Sequence, residues 1–182
     1  MINTIKKTVV ISAALAASAL GAAEISSDLV VYGSSSAAVT AAVRAKEMGM
    51  KVVIVAPDMH IGGLSASGLG LTDSGNTSAI GGLAREFYKR VYKAYESPDA
   101  WKWEKREEFS AEGQDTKAMD HDEKAMWTFE PHIAENIFNA WVKEAGVELV
   151  LGERLYRGDD GKSRDGVEIK DGIIKSIRTE SG

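Results

Sequence analysis

Apolar and small residues alternate in blocks along the first third of the chain. Apolar runs at Leu29–Val31 and Val52–Val55 predict two strands that are buried on both faces. Between them, alanines recur every four residues from Ala37 to Ala45, and Gly49 ends the predicted helix. The order strand, helix, strand predicts one βαβ unit of a parallel sheet.

The turn between the first strand and the helix suggests a ligand. Its sequence is G-x-S-x-x-A: Gly33 allows a sharp exit from the strand, Ser35 replaces the usual second glycine, and Ala38 allows close packing. Backbone N–H groups at a helix N-terminus bind the pyrophosphate of a dinucleotide. The same pattern is also found in ordinary α/β crossovers, where small residues serve packing alone. The candidate cofactor-binding residues of this turn are Gly33, Ser34, Ser35, Ser36, Ala37 and Ala38.

The segment after the second strand supplies further candidates. A dinucleotide site usually ends this strand with an acid that accepts hydrogen bonds from the ribose, but Ala56 holds that position here. Asp58 follows two residues later and is either a ribose ligand or a turn former after Pro57. The Gly62-Gly63 pair allows close approach of backbone to a ligand, or forms a simple turn.

The rest of the pattern predicts two more helices, one more strand and a hairpin, which gives an α/β fold class with a Rossmann-like parallel sheet. A glycine-rich stretch without periodicity predicts a loop that wraps a cofactor or lies free on the surface. In chain order the predictions are a loop at Ser65–Gly82, a helix at Leu83–Tyr95, an irregular region at Trp101–Met126, a helix that starts at Pro131 and stops at Gly146, a strand at Val147–Leu151, and a hairpin at 166–178 that turns at Asp171-Gly172.

Composition and charge narrow the choice of function. The 182 residues carry a net charge of −5, which offers no basic surface to nucleic acid. Cysteine is absent, so disulfides, thiolate metal sites and a cysteine nucleophile are excluded. The acidic run Asp120–Glu123 resembles a metal site in composition, but four adjacent residues do not converge easily on one ion, and we interpret it as a solvated loop.

The first 23 residues resemble a secretory signal peptide. Lys6 and Lys7 precede an apolar segment at Val9–Leu20, and small residues follow at positions compatible with cleavage. An uncleaved anchor or a disordered tail is the alternative. The prediction is therefore a signal peptide at 1–23 and a secreted or periplasmic mature chain, with no stable membrane anchor after cleavage.

Six segments, in one order, resemble the N-terminal part of secreted bacterial FAD-dependent oxidoreductases with the glutathione-reductase-like FAD fold. They include DLVVYGSSSAAVTAAVRAKEMG and HIGGLSASGLGLTDSGN, and together they lie at 28–49, 60–76, 80–91, 100–109, 126–138 and 146–155. The resemblance implies FAD as the cofactor, with the pyrophosphate at the G-x-S-x-x-A turn. It further implies that Gly62, Gly63 and Leu64 lie along the cofactor, that the backbone of Arg154 and Leu155 meets the adenine end, and that the loop with Thr72 and Asp73 lies toward the flavin ring.

The same resemblance sets the expected domain and activity. Residues 24–182 would be a partial, truncated FAD-binding domain with a helical and loop insertion at about 76–128, because relatives continue into further strands and a substrate domain. The expected reaction is hydride transfer between flavin and an unknown small-molecule or carbohydrate-related substrate. No catalytic residue is identified; Asp73, Glu130 and His132 are the only candidates for a base. An NAD-dependent Rossmann dehydrogenase and a non-catalytic truncated remnant remain as alternatives.

Overall fold

A computed structural model describes residues 24–106, 108–109 and 118–182. The predicted signal peptide at 1–23 lies outside the described residues. The strands and helices are β1 (Leu29–Tyr32), α1 (Ser36–Glu47), β2 (Val52–Ala56), α2 (Gly82–Ala94), β3 (Met119–Asp120), β4 (Ala125–Met126), α3 (Pro131–Ala145), β5 (Glu148–Leu151), β6 (Val167–Lys170) and β7 (Ile173–Ile177).

A three-stranded parallel sheet carries the fold, in the order β1-β2-β5. Leu29 pairs with Val52, and Val53 pairs with Glu148, so β2 is the central strand. All five residues of β2 are buried, as predicted for this central strand. The prediction that the first strand is buried on both faces is wrong: Val30 of β1 is 40% exposed, because β1 is an edge strand that is only partly covered. The predicted α/β, Rossmann-like arrangement is confirmed.

The main hydrophobic core lies where α1, α2 and α3 pack with the sheet. Phe138 of α3 stacks on Phe87 of α2, with ring centroids 4.6 Å apart and planes within 8° of parallel. Val39 and Ile54 are fully buried in the same cluster, which joins α1 and β2 to the aromatic pair. Each helix therefore contributes one apolar face to a shared core.

The helix ends follow the predicted signals. Pro131 occupies the first turn of α3, where its missing N–H costs nothing, and Gly146 ends the helix in the left-handed conformation with φ of +66°. α1 ends at Glu47, and α2 begins at Gly82, one residue before its predicted start.

The two regions predicted to be irregular contain short ordered pieces. The loop predicted at Ser65–Gly82 includes 3-10 turns at Gly63–Ala66 and Thr77–Ala79, and the region predicted at Trp101–Met126 includes the β3-β4 hairpin. At the turn of that hairpin, the Asp120 carboxylate accepts the backbone N–H groups of the two residues that follow His121. Within 24–106, 108–109 and 118–182, no three His, Cys, Asp or Glu side chains are placed to hold a metal ion.

β6 and β7 form the predicted antiparallel hairpin. Asp171 and Gly172 both have positive φ, at 54° and 76°, which is the conformation of a type I′ turn. A backbone bridge between Leu155 and Thr179 ties the hairpin to the segment after β5. No helix of the described chain is long and apolar enough to cross a membrane.

Candidate dinucleotide-binding site

The turn from β1 into α1 leaves a backbone N–H group without a hydrogen-bond partner at the start of the helix, among the residues that the structure describes. Gly33 has φ of +133°, a conformation that side chains disfavour, and its N–H donates to the carbonyl of Val55 at 2.8 Å. The side chain of Ser35 caps α1 by accepting the N–H of Ala38 at 3.2 Å. Among the described residues, no hydrogen bond uses the N–H of Ala37, and the first turn of α1 contains no acid. The helix itself therefore supplies no carboxylate to neutralise the positive end of its dipole.

The glycine pair predicted to lie along the cofactor packs directly against this turn. The N–H of Gly62 donates to the carbonyl of Ser34 at 2.7 Å, and Gly62 forms a parallel bridge with Ser35. A Cβ on Gly63 would lie 3.1 Å from the Cα of Ser35. A Cβ on Gly62 would overlap the ring of Phe138, so this glycine is also required by packing with α3.

Asp58 lies beside the same turn. Its carboxylate accepts a hydrogen bond from the hydroxyl of Ser34, and its carbonyl accepts the N–H of Gly152 at 3.1 Å. Ala56 is fully buried at the end of β2, so the position that usually holds the ribose acid faces away from solvent. Asp58 is therefore the carboxylate that the fold places at the end of β2 next to the helix start.

The segment after β5 lies at the same edge of the sheet as the turn before α1 and Asp58. The N–H of Leu155 donates to the hydroxyl of Tyr32, the last residue of β1, at 2.9 Å. The carbonyl of Arg154 accepts the N–H of Glu180 at 2.8 Å, and the side chain of Leu64 is 70% exposed beside the glycine pair. In an open parallel sheet, ligands bind at the carboxyl ends of the strands, and the segments with Gly33, Asp58 and Leu155 follow the ends of β1, β2 and β5.

Two contacts near this edge were not predicted from the sequence. The Tyr32 hydroxyl could have been expected to meet the segment after β5, because parallel strands end at the same edge. His60, in the loop between Asp58 and the glycine pair, places Nδ1 2.6 Å from a carboxylate oxygen of Glu135 on α3. No local signal links two residues 75 positions apart.

The three candidate bases lie elsewhere. Asp73 is exposed in the loop after Thr72, whose N–H donates to the carbonyl of Trp127 at 3.1 Å. Glu130 and His132 lie at the start of α3, and His132 is exposed. No hydrogen bond or ion pair in the described part of the chain joins any of the three to the turn before α1. Their catalytic role stays a prediction.

A family profile described as FAD dependent oxidoreductase matches residues 28–181. The chain belongs to this family. The match includes β1, the turn, and the segments after β2 and β5, so the resemblance predicted from the six motifs is confirmed.

This member of the FAD-dependent oxidoreductase family is similar in structure to part of a much longer protein. The crystal structure of AlpK is similar at 15% sequence identity and a TM-score of 0.42, covering 81% of this chain and 26% of AlpK. The chain thus spans about a quarter of the length of AlpK. No curated protein matches the chain.

Proposed function

We propose that this chain binds FAD, with the pyrophosphate at the start of α1, and forms the FAD-binding portion of an oxidoreductase. Its family supports FAD as the cofactor. The single observation that carries the assignment to these residues is the capped, acid-free start of α1 with the unused N–H of Ala37, which follows a turn that contacts Asp58 and Gly63. A pyrophosphate matches this arrangement because the helix dipole and free N–H groups both favour an anion.

Each part of the edge has a role in this proposal. The N–H groups of Ser35 and Ala37 would hold the pyrophosphate, and Asp58 would exchange its hydrogen bond from Ser34 for one from a ribose hydroxyl. The backbone near Leu155 would meet the adenine end. When bound, the flavin would accept a hydride from a carbon atom of an organic substrate. We propose that this substrate is a small molecule or a carbohydrate-related compound.

A charge placed at the start of α1 tests the pyrophosphate position. Ser36→Asp puts a carboxylate at the first helical residue, where it favours the helix but repels a phosphate. We expect FAD affinity to fall at least about tenfold, a cost of roughly 1.4 kcal/mol, while the unfolding midpoint stays equal or rises. The measurement is a titration of FAD into the purified chain, followed by quenching of flavin fluorescence.

Ser36→Asn is the matched control, because it has nearly the same shape and no charge. It should bind FAD as the parent chain does. Equal FAD affinity in the Asp and Asn variants would reject the pyrophosphate position. A chain that binds NADH but not FAD would favour a nicotinamide-dependent dehydrogenase, and a chain that binds neither would favour a non-catalytic remnant.

We also propose that the chain is exported. The positive start at Lys6 and Lys7 and the apolar segment at Val9–Leu20 support a cleaved signal peptide at 1–23 and a secreted or periplasmic product without a membrane anchor. The net charge of −5 supports a partner other than nucleic acid. N-terminal sequencing of the protein recovered outside the cytoplasm should begin near Glu24; recovery of an uncleaved chain in the membrane would contradict this.

A further inference from the structure

A cavity lies between the end of α2, the segment after it and the start of α3. Its volume is about 270 Å³, and it shares no residue with the edge formed by Gly33, Asp58 and Leu155. This is just below the usual range for small-ligand pockets, so only a small molecule would fit. Its lining residues are Tyr95, Ala100, Trp101, Lys102, Trp103, Glu104, Phe109, Met126, Thr128, Phe129 and Glu130.

Aromatic rings form much of the wall, and part of it is held in place. The indole N–H of Trp101 donates to the carbonyl of Tyr95 at 2.9 Å, which fixes the ring. Trp101 also packs edge-on against both Tyr95 and Phe109, with centroids 5.3 Å apart in each case. Trp103 is 88% exposed at the rim, so a large aromatic face remains available to a ligand.

The charged part of the wall carries a net negative charge. Oε2 of Glu130 accepts the hydroxyl of Tyr95 at 3.1 Å, and the same hydroxyl accepts the N–H of Glu130 at 2.9 Å. Oε1 of Glu130 has no hydrogen-bond partner in the described part of the chain. Burial raises the pKa of Tyr95 to about 12, so the tyrosine remains a neutral donor at physiological pH. Glu104 adds a second carboxylate, against the single ammonium of Lys102.

We infer that this cavity binds a small organic cation with a quaternary ammonium head. Aromatic faces attract such a cation through the ring quadrupole, and the anchored Glu130 carboxylate supplies the opposite charge. The two carboxylates disfavour an anion. A neutral apolar molecule would shield Oε1 of Glu130 from water without donating a hydrogen bond to it, which has an unfavourable free energy. The inference does not depend on FAD binding, because none of the lining residues belongs to the proposed FAD site.

A pair of isosteric ligands tests the charge requirement. Choline and 3,3-dimethylbutan-1-ol have nearly the same shape, and only choline carries a charge. We expect choline to bind the purified chain, measured by isothermal titration calorimetry, at least about tenfold more tightly than the alcohol. Equal affinity for the two, or no binding of choline, would overturn the inference.

Two variants locate the binding. Trp103→Ala removes the exposed ring, and Glu130→Gln removes the charge while keeping an acceptor for Tyr95. Each should weaken choline binding several-fold or more. Glu108→Gln is the matched control, because this glutamate pairs with Lys105 at 3.0 Å and does not line the cavity. Trp103 is too exposed for its loss to prevent folding, so unchanged choline binding in Trp103→Ala would place the ligand elsewhere and reject this cavity.

Discussion

β2 of the parallel sheet is apolar throughout, whereas the strands of the C-terminal hairpin mix apolar with polar and charged residues, and the two regions also differ in what surrounds them. Every residue of β2 is buried, and the strand has neighbours on both edges. In the hairpin, Ile169, Ile173 and Ile174 are 57–62% exposed. The hairpin is held by its backbone ladder, its turn and the bridge between Leu155 and Thr179.

The hairpin isoleucines, and Val30 of β1 at 40% exposed, show that an apolar residue in a strand is buried only where another element covers it. The fully buried β2 is stabilised mainly by the removal of its apolar area from water, at roughly 25 cal/mol per Å². The hairpin gains little from that source, so its sequence acts mainly through turn chemistry and cross-strand pairing. Substitutions of similar chemistry in the two regions should therefore have unequal effects.

The largest contrast is expected between Phe138→Ala and Ile173→Ala. Phe138 is 1% exposed and stacks on Phe87, so its loss should reduce the free energy of unfolding by roughly 3–5 kcal/mol. Ile173 is 57% exposed in the hairpin, and its loss should cost about 0.5 kcal/mol or less. Urea unfolding of the two variants measures both values. Similar losses would mean that the hairpin face is covered in solution.

Two glycines with positive φ give the next contrast. Gly62→Ala would push a Cβ into the ring of Phe138 and add backbone strain at φ of +107°, for a loss of about 2–4 kcal/mol. Gly172→Ala carries the backbone strain alone, because nothing lies within 4 Å of the added Cβ, and should cost about 1–2 kcal/mol. Thermal unfolding compares them, and equal shifts would contradict a packing role for Gly62.

Elements whose signals are local could be predicted from the sequence. The βαβ unit is encoded by two apolar runs and a helical period, and the hairpin is encoded by Asp171-Gly172, whose positive φ values match the turn that this dipeptide favours. The six family motifs also predicted the correct family over 28–181.

Contacts between distant residues could not be predicted in the same way. Ser35 was interpreted as a replacement for a glycine, and the structure adds that its side chain caps α1. The contact between His60 and Glu135 joins residues 75 positions apart, and the overlap that a Cβ on Gly62 would have with Phe138 depends on how α3 packs. Such contacts are fixed by tertiary packing, which leaves no periodic trace in the chain.

Alkaline pH should lower the free energy of unfolding through Tyr95, which follows α2 and lies in the main core. Its pKa is raised to about 12 in the folded chain, chiefly by burial, from an ordinary value of 10. The stability that this contributes is fully present below pH 10 and is lost as the pH rises through 12, because the unfolded chain releases the proton first. Tyr95→Phe should flatten this part of the curve of unfolding free energy against pH. Tyr32→Phe, which keeps Tyr95, should retain it; the same slope in both variants would reject the assignment.

The smallest contrast concerns two exposed serines. Ser35→Ala removes the cap of α1, which should cost about 1 kcal/mol, because the N–H of Ala38 loses its acceptor. Ser176→Ala removes a hydroxyl that donates to Glu168 across the hairpin at 3.0 Å, and should cost about 0.2–0.5 kcal/mol. Ser36→Ala is a neutral control at the helix start, since no hydrogen bond in the described part of the chain uses its side chain. Chemical denaturation resolves the order of the three. If Ser176→Ala cost more than Ser35→Ala, cross-strand side chains would contribute more to this chain than helix capping, and the hairpin would no longer be the weakly held region.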